Sequence, residues 1–377
     1  MVKIASLNWR HLIIFMIIYV LGSQTVLYFS PIIYTNAKFS INNYEFKNEL
    51  FSVNFTLYAS MPLDVKVALI PVIEEPTNLP IYIFYDPNYP ALGTSWEKIH
   101  MLGTNLKREL SLRSFKGDMT LITAEELENL FSKKEKAIVI IASGAFPANV
   151  FPAYNYSRDN DLVKPWLDAG GILIWFGWPP GYYTVYKGQI ETPDFCDLPQ
   201  HLRVNGTKDF GLEEIIEIKP HENILETAEK SSYIGEVLDI NYNLINYGAL
   251  NDSLSENGLA IGMIGGNPPR SSVSIIPIGE GKIILFGFFV LGSYILNGPE
   301  LSARDIAQII RSGVIYSTKD SPPAYKEYHL LGGQTITDKV EVKIKSNVKG
   351  VIVYVYPTLS STCLLYFYKF YEHPSSK

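Results

Sequence analysis

The chain has 377 residues, of which 47% are hydrophobic and 19% are charged. This balance excludes an intrinsically disordered chain, and the length allows two or three domains with buried cores. The formal net charge of −6 at pH 7 gives no basic footprint, so we expect no nucleic-acid partner. The two cysteines, Cys196 and Cys363, form no metal-binding spacing, so neither a metal nor a cofactor is predicted. They are either two buried thiols or, outside the cytoplasm, one disulfide.

The N-terminus carries an uncharged apolar stretch. Lys3 and Arg10 precede residues 12–34, which contain no charge and are long enough to cross a bilayer. Positive residues ahead of this stretch predict a cytoplasmic N-terminus, with membrane lipid as the partner of residues 12–34. The alternative is a cleaved signal peptide, with residues 12–21 as its apolar region. Both interpretations export the remaining chain, and we favour the uncleaved anchor of a single-pass membrane protein.

Four Asn-x-Ser/Thr sequons are consistent with export and predict sites of N-glycosylation. They begin at Asn54, Asn155, Asn205 and Asn251, and none has proline at its middle position.

The first extracytoplasmic segment, residues 37–75, has the alternation of β-strands. Phe51, Val53, Phe55 and Leu57 fall on one face of a strand because side chains two apart point the same way. Residues 71–80 are proline-rich and read as a linker. We expect this segment to supply the first half of a β-sandwich.

The pattern of hydrophobic residues changes from simple strand alternation to a different arrangement in residues 76–316. Short apolar runs alternate with helical stretches, which is typical of a parallel sheet with helices on both faces. The predicted strands are 81–85, 118–122, 137–141 and 171–176, and the predicted helices are 95–115, 124–131 and 161–169. Residues 184–258 are less regular and are interpreted as an insertion. Strands then resume at 259–264, 272–278 and 282–288, and a helix closes the domain at 304–316.

The last segment, residues 317–377, alternates again and is predicted to complete the β-sandwich. The four predicted parts are thus 1–36, 37–75, 76–316 and 317–377. The predicted fold class is α/β, with a flavodoxin-like parallel sheet domain inserted in a β-sandwich and an N-terminal transmembrane helix.

Three motifs give residues 80–316 a family resemblance. Ser143-Gly144 forms a tight loop after one strand, Asp168-Ala-Gly-Gly-Ile-Leu-Ile leads into another, and Gly279-Glu-Gly-Lys-Ile-Ile-Leu-Phe-Gly287 is a late hairpin. This order resembles the class I glutamine amidotransferase-like fold. The resemblance implies oxyanion glycines at the first loop, a nucleophilic cysteine after the second motif and a histidine after the third.

The chain departs from the catalytic pattern of that family at both reactive positions. Trp178 or its neighbours occupy the position of the nucleophile, and Phe288-Phe-Val-Leu-Gly-Ser follows the hairpin without a histidine. The chain is therefore more similar to the non-catalytic branch of the fold. That branch includes domains of gliding-motility transporter subunits, intraflagellar transport proteins and an oligosaccharyltransferase subunit, for which the resemblance implies binding or assembly.

A sharp elbow, Gly177-Trp-Pro-Pro180, ends the strand at 171–176, and the aromatic group on and after this elbow is the predicted ligand or partner site. Ligands of open α/β sheets bind at the carboxyl ends of the strands, and aromatic faces stack on sugars or partner side chains. The group consists of Trp175, Trp178, Tyr182, Tyr183 and Tyr186. The alternative is that Trp175 belongs to the core and that the others fill a groove under the insertion.

Polar residues at the same sheet edge are weaker candidates. Asp86, Ser143 and Asp194 are placed to converge there, and His201 offers a dyad partner for Ser143. The alternative is an Asx turn at Asp86 and a tight Ser-Gly turn at residues 143–144. We assign no catalytic residue and include Asp86 and Ser143 in the predicted binding site.

The function predicted from these features is a non-catalytic, membrane-anchored, extracytoplasmic binding or scaffold subunit. Its partners are expected to be other membrane or surface proteins, in the glycosylation machinery or as a transporter accessory. Two alternatives stay open. One is an extracellular hydrolase that uses Asp86, Ser143 or His201, and the other is a carbohydrate-binding surface protein with a glycan as its partner.

Overall fold

The computed structural model describes residues 37–92, 94–151, 161–177, 180–181, 184–188, 216–217, 226–227, 230–240, 244–245, 248–250, 254, 258–265, 270–287, 299–358 and 365–374. Strands account for 42% of the structure and helices for 22%. The described part of the protein is therefore mostly β-sheet.

Two antiparallel sheets pack on one hydrophobic core. Their strands are β1 (Ala37–Lys47), β2 (Leu50–Ala59), β3 (Leu63–Val72), β20 (Ala324–Leu330), β21 (Gln334–Lys343), β22 (Gly350–Pro357) and β23 (Phe367–Glu372). In the described chain, one sheet has the order β1–β2–β21 and the other has the order β20–β3–β22–β23. Phe51, Val53, Phe55 and Leu57 of β2 are fully buried between the sheets. Because β2 pairs with β21 along its whole length, strands from distant parts of the chain share this core.

The central strands β3 and β22 of the β20–β3–β22–β23 sheet are buried on both of their faces. Val351, Val353 and Val355 of β22 belong to the core between the two sheets. Ile352 and Tyr354, which alternate with them, belong to a second core on the opposite face. A strand that is buried on both faces needs an unbroken apolar sequence, which is what β22 has.

A larger sheet lies beyond this second core. It contains β4 (Ile81–Phe84), β5 (Met119–Ile122), β6 (Ile138–Ile141), β8 (Ile172–Phe176), β15 (Leu259–Ala260), β18 (Val273–Ile278) and β19 (Gly281–Phe286). The order of the described strands is β15–β18–β19–β8–β6–β4–β5. The pairs from β19 to β5 are parallel, and the pairs β15–β18 and β18–β19 are antiparallel. The strand β5 forms one edge of the sheet.

Helices cover both faces of the larger sheet. They are α1 (Trp96–Leu112), α2 (Ala124–Ser132), α3 (Val163–Asp168), α4 (Tyr233–Leu238) and α5 (Pro299–Ser312), and α5 is followed by a 3-10 turn at Val314–Tyr316. Helices α1, α4 and α5 contribute to the second core, and α2 and α3 pack on the other face. Ser95 begins α1 by accepting a hydrogen bond from the amide of Lys98 at 3.3 Å. Thr123 and Glu126 form a reciprocal capping box at the start of α2.

Short strand pairs complete the described structure. They are β7 (Phe146–Pro147), β9 (Thr184–Val185), β10 (Ile216–Glu217), β11 (Glu226–Thr227), β12 (Lys230–Ser231), β13 (Leu244–Ile245), β14 (Gly248–Leu250), β16 (Met263–Gly265) and β17 (Arg270–Ser271). Among the described residues they form the sheets β10–β14–β17–β16–β12, β11–β13 and β7–β9. All of these pairs are antiparallel except β7–β9.

The predicted α/β fold class is wrong. The structure is mostly strand and divides into several sheets, with about half as much helix as strand. Residues 81–176 have the regular βα alternation on which the α/β prediction rests. The described chain also has long antiparallel strands at both ends and two- or three-residue strands between 216 and 271, and these raise the strand content above the helix content.

The predicted single-pass membrane localisation is also corrected. Within the parts of the chain that the structure describes, no helix combines the length and the apolar character needed to span a bilayer. Residues 12–34, from which the anchor was predicted, lie outside the described residues.

A core substitution tests the double burial of β22. We expect Ile352→Ala to lower the free energy of unfolding by about 2–5 kcal/mol, because it removes a fully buried side chain from the second core. Leu331→Ala is the control, since Leu331 is 73% exposed and its loss should cost no more than about 0.5 kcal/mol. Urea denaturation of both variants measures the difference, and equal effects would contradict this packing.

A surface ion pair between neighbouring strands gives a second prediction. The Nδ1 atom of His329 lies 2.6 Å from Oδ1 of Asp64, and this hydrogen bond and the carboxylate charge raise the pKa of His329. The folded state therefore favours the protonated ring, so its stabilising contribution is present at low pH and disappears as the pH rises through the raised pKa. An NMR titration should show a pKa above 6.5 for His329. In Asp64→Asn that pKa should fall, and an unchanged value would contradict the assignment.

Candidate functional site

Asp86 lies at the carboxyl edge of the larger sheet, just after β4, as the sequence predicts. Its carboxylate is buried and accepts hydrogen bonds from the backbone amide of Asn88 at 3.1 Å and from the side-chain amide of Asn88 at 2.9 Å. Its other oxygen accepts a hydrogen bond from the amide of Ala124, the first residue of α2, at 3.2 Å. Asp86 therefore organises an Asx turn and supports the start of a helix.

Ser143 is fully buried at the same edge. Its hydroxyl donates a hydrogen bond to the carbonyl of Ala145 at 3.0 Å, and its carbonyl accepts one from the amide of Leu92 at 2.6 Å. The hydroxyl thus serves the turn at residues 143–145, and the backbone joins this turn to the loop that follows β4.

Two glycines bring the loops after β6 and β8 into direct contact. Gly177 has φ +109°, and a Cβ atom there would lie 2.4 Å from the Cα of Gly144. Gly144 has φ +78°, and its Cβ would lie 2.4 Å from the carbonyl oxygen of Leu92. Only glycine fits at both positions. Three loops therefore meet backbone to backbone where the sequence predicts an open binding edge.

Hydrogen bonds fasten these loops further. The amide of Ala148 donates to the carbonyl of Val185 at 2.9 Å, and the amide of Gly188 donates to the carbonyl of Asn88 at 2.8 Å. Tyr186 is half-buried beside a small cluster that includes Val185. Trp175 is fully buried in the core, so the core interpretation applies to it. The other members of the predicted site, Trp178, Tyr182 and Tyr183, lie outside the described residues, as do Asp194 and His201.

Of the four predicted glycosylation sites, Asn54 lies among the described residues. Asn54 lies within the central strand β2, where its side-chain amide donates a hydrogen bond to Oδ1 of Asn43. Asn155, Asn205 and Asn251 lie outside the described residues, and so do Cys196 and Cys363. Glycosylation and the pairing of the cysteines stay predictions.

A cleft opens at the opposite, amino-terminal edge of the larger sheet. Its volume is about 350 Å³, and it lies between the end of α1 and the edge strand β5. Its lining residues are Pro80, Tyr82, Lys107, Leu110, Ser111, Phe115, Gly117, Asp118, Met119 and Thr120.

The turn that ends α1 builds one wall of the cleft. Ser114 adopts a left-handed conformation with φ +55°, and the amide of Phe115 donates back to the carbonyl of Leu110 at 3.0 Å. The amide of Ser114 donates to the carbonyl of Ser111 at 3.1 Å, which completes a Schellman motif. The motif places Phe115 against Leu110, and both side chains line the cleft.

Gly117 then allows the ring of Phe115 to fold onto the backbone. A Cβ atom at Gly117 would lie 2.4 Å from Cζ of Phe115. On the side of α5, the guanidinium of Arg311 lies 5.9 Å from the centre of the same ring. The ring is therefore held between a glycine and a buried cation, where it forms part of the cleft wall.

The polar groups of the cleft include both donors and acceptors. Lys107 and Asp118 line the same space, and neither forms an ion pair with any part of the chain that the structure describes. Ser111 donates its hydroxyl to the carbonyl of Lys107 at 2.8 Å and keeps its oxygen as an acceptor. Together with the ring of Phe115, these groups suit a ligand that carries hydroxyls on an apolar frame.

The structure offers no metal centre in the portion it describes. No group of three or more His, Cys, Asp or Glu residues there could hold a metal ion.

Sequence reasoning missed this cleft. It placed the site at the carboxyl ends of the strands, where most parallel sheets bind ligands. The available signal was the segment between α1 and β5, in which Phe115, Gly117 and Asp118 follow one another closely. A connection that contains an aromatic residue, a glycine and a carboxylate is more typical of an ordered turn than of a flexible linker.

Comparison with known proteins assigns no family. No protein-family model matches the chain. An uncharacterized protein of Methanocaldococcus jannaschii, MJECL34, is 28% identical over 111 residues, which cover 28% of this chain and 35% of that relative. This chain therefore spans about a third of the length of the curated relative that it matches. The amidotransferase-like resemblance stays a prediction.

Two solved structures are similar to this chain in backbone structure, but only at low TM-scores. An exo-β-1,4-mannosidase, Op5Man5, from Opitutaceae bacterium strain TAV5 has a TM-score of 0.32 and 12% identity, covering 65% of this chain and 37% of that enzyme. A cold-adapted β-galactosidase from Rahnella sp. R3 has a TM-score of 0.33 and 11% identity, covering 70% of this chain and 41% of that enzyme. Scores of this size support no statement about fold or activity.

The contact between Gly144 and Gly177 at the carboxyl edge of the larger sheet gives a prediction for the stability of the protein. We expect Gly177→Ala to lower the free energy of unfolding by roughly 3–5 kcal/mol, because it combines an unfavourable φ with a backbone clash. The matched control is Gly188→Ala. Gly188 also has positive φ, at +80°, but a Cβ atom there would meet nothing within 4 Å, so the loss should be about 1–2 kcal/mol. Chemical denaturation compares the two, and equal losses would mean that the loops do not touch.

Proposed function

We propose that this protein is a non-catalytic carbohydrate-binding protein that holds a saccharide in the cleft between α1 and β5. The observation that carries the proposal is the composition of the cleft wall. The ring of Phe115 stands in the wall of the cleft that Lys107 and Asp118 also line, and the charges of these two residues have no ion-pair partner in the described chain. The broader prediction of a binding or scaffold subunit stays a prediction.

A saccharide presents two kinds of surface, and the cleft has a counterpart for each. Its C–H faces pack on aromatic rings, which supply contact area at little cost in side-chain freedom. Its hydroxyls both donate and accept, so they need acceptors such as Asp118 and donors such as Lys107. The cleft volume of about 350 Å³ is within the range of small-molecule sites.

Binding is favoured over hydrolysis by the chemistry of the lining. Glycoside hydrolysis by the usual routes uses a pair of carboxyl groups on either side of the scissile bond. Among the described lining residues Asp118 supplies one carboxyl group. The oxygens of Asp86 and Ser143, the described candidates for the hydrolase alternative, are occupied in turns at the opposite edge.

Saccharide titrations of the full chain test the proposal. Ligand-observed NMR should detect saccharide binding, and calorimetry should give the dissociation constants. Phe115→Leu should weaken binding roughly three- to tenfold through the lost ring contact, and Asp118→Asn roughly tenfold through the lost charge-assisted hydrogen bonds.

Tyr233→Ala provides the matched control for these variants. Tyr233 is an exposed tyrosine on α4 that does not line the cleft, so its loss should leave the affinity unchanged. Circular dichroism confirms that each variant is folded. A folded wild-type chain that binds no saccharide, or variants that bind as the wild type does, would overturn the proposal.

A further inference from the structure

The cleft has an uncompensated positive charge behind its aromatic wall. Arg311 is 8% exposed, and its Nε atom donates a hydrogen bond to the carbonyl of Arg113 at 3.2 Å. Its guanidinium stacks at 4.3 Å from the ring centre of Tyr368 and lies 5.9 Å from that of Phe115. No carboxylate pairs with Arg311 in the described chain.

The neighbouring charges do not cancel that of Arg311. Arg113 is already paired, because its Nη1 atom lies 2.6 Å from Oε2 of Glu109. Burial is the main cause that lowers the pKa of Arg311; Tyr368 and Tyr354 act in the opposite direction, and the positive charge of Arg113 lowers the pKa further. Lys107 adds another cation at the cleft, and Asp118 is the carboxylate of the described lining. The balance around the cleft is positive.

We infer that the ligand of the cleft is an acidic saccharide, one whose carboxylate lies against Lys107 while its hydroxyls meet Asp118. This inference rests on the proposed carbohydrate-binding function and narrows it to uronate-type sugars. A ligand carboxylate forms charge-assisted hydrogen bonds with the ammonium group. It also lies on the same side of the sheet as the buried Arg311, whose guanidinium is 5.9 Å from the ring centre of Phe115 and adds to the positive field.

Matched sugar pairs test the preference for charge. The methyl glucosides, galactosides and mannosides are compared by calorimetry with the corresponding methyl uronides, which differ by a carboxylate in place of a hydroxymethyl group. We expect at least one uronide to bind roughly tenfold more tightly than its neutral partner at low salt. This advantage should shrink in 0.5 M NaCl, because added salt screens the charges.

Variants of the full chain identify the residue responsible. Lys107→Gln should reduce the advantage of the uronide over its neutral partner to about twofold, because the glutamine amide still donates to hydroxyls but carries no charge. Lys133→Gln is the control, because Lys133 is an exposed lysine at the end of α2 that does not line the cleft. It should bind every sugar as the wild type does.

The outcomes separate this inference from the proposed function. Neutral sugars that bind as tightly as uronides, or a uronide advantage that survives in Lys107→Gln, overturn the inference and leave carbohydrate binding in place. If neither member of any pair binds and larger saccharides also fail, carbohydrate binding itself is overturned, and the inference fails with it.

Discussion

The double burial of the central strands β3 and β22 of the β20–β3–β22–β23 sheet is the constraint on which the rest of the structure depends. One face closes the sandwich core, and the other supports the helices that cover the larger sheet. Gly313 shows how close this contact is, since a Cβ atom there would lie 2.1 Å from Cδ1 of Ile352. Tight interiors transmit displacement because they contain few voids. The position of α5, and of α1 packed beside it, is thus fixed from the sandwich side.

Buried arginines extend this constraint to the cleft. A charge in an interior is costly unless hydrogen bonds and polarisable surfaces replace its water. Arg113 stacks at 4.6 Å on Tyr366 and Arg311 at 4.3 Å on Tyr368, so both cations lie on aromatic faces. Burial raises the pKa of Tyr368 to about 12, so its hydroxyl supplies no negative charge to pair with Arg311. The wall of the cleft therefore rests on residues that belong to the sandwich.

The sequence allows local structure to be predicted better than the site. Alternation places Phe51 and Phe55 on the same buried face, since the period of a strand is visible in a few residues. The fold class is not predictable in this way, because it depends on how many two-residue strands find partners far along the chain. Asp86 and Ser143 follow strand ends, as the sequence predicts, but nearby backbone groups occupy their oxygens. The cleft depends on Gly117, whose effect appears only when the ring of Phe115 is in place.

The pairing of β2 with β21 also determines the order in which the protein can assemble during synthesis. Thr56 meets Thr337 across these strands, 281 residues further along the chain. At translation rates of about 5–20 residues per second, the partner strand is made roughly 15–60 s after β2. During this interval β3, made directly after β2, is the described strand of the facing sheet that can pack on the apolar face of β2. The sandwich core is therefore among the last parts of the molecule to close, because β21 and β22 complete it only when the last described strands have been made.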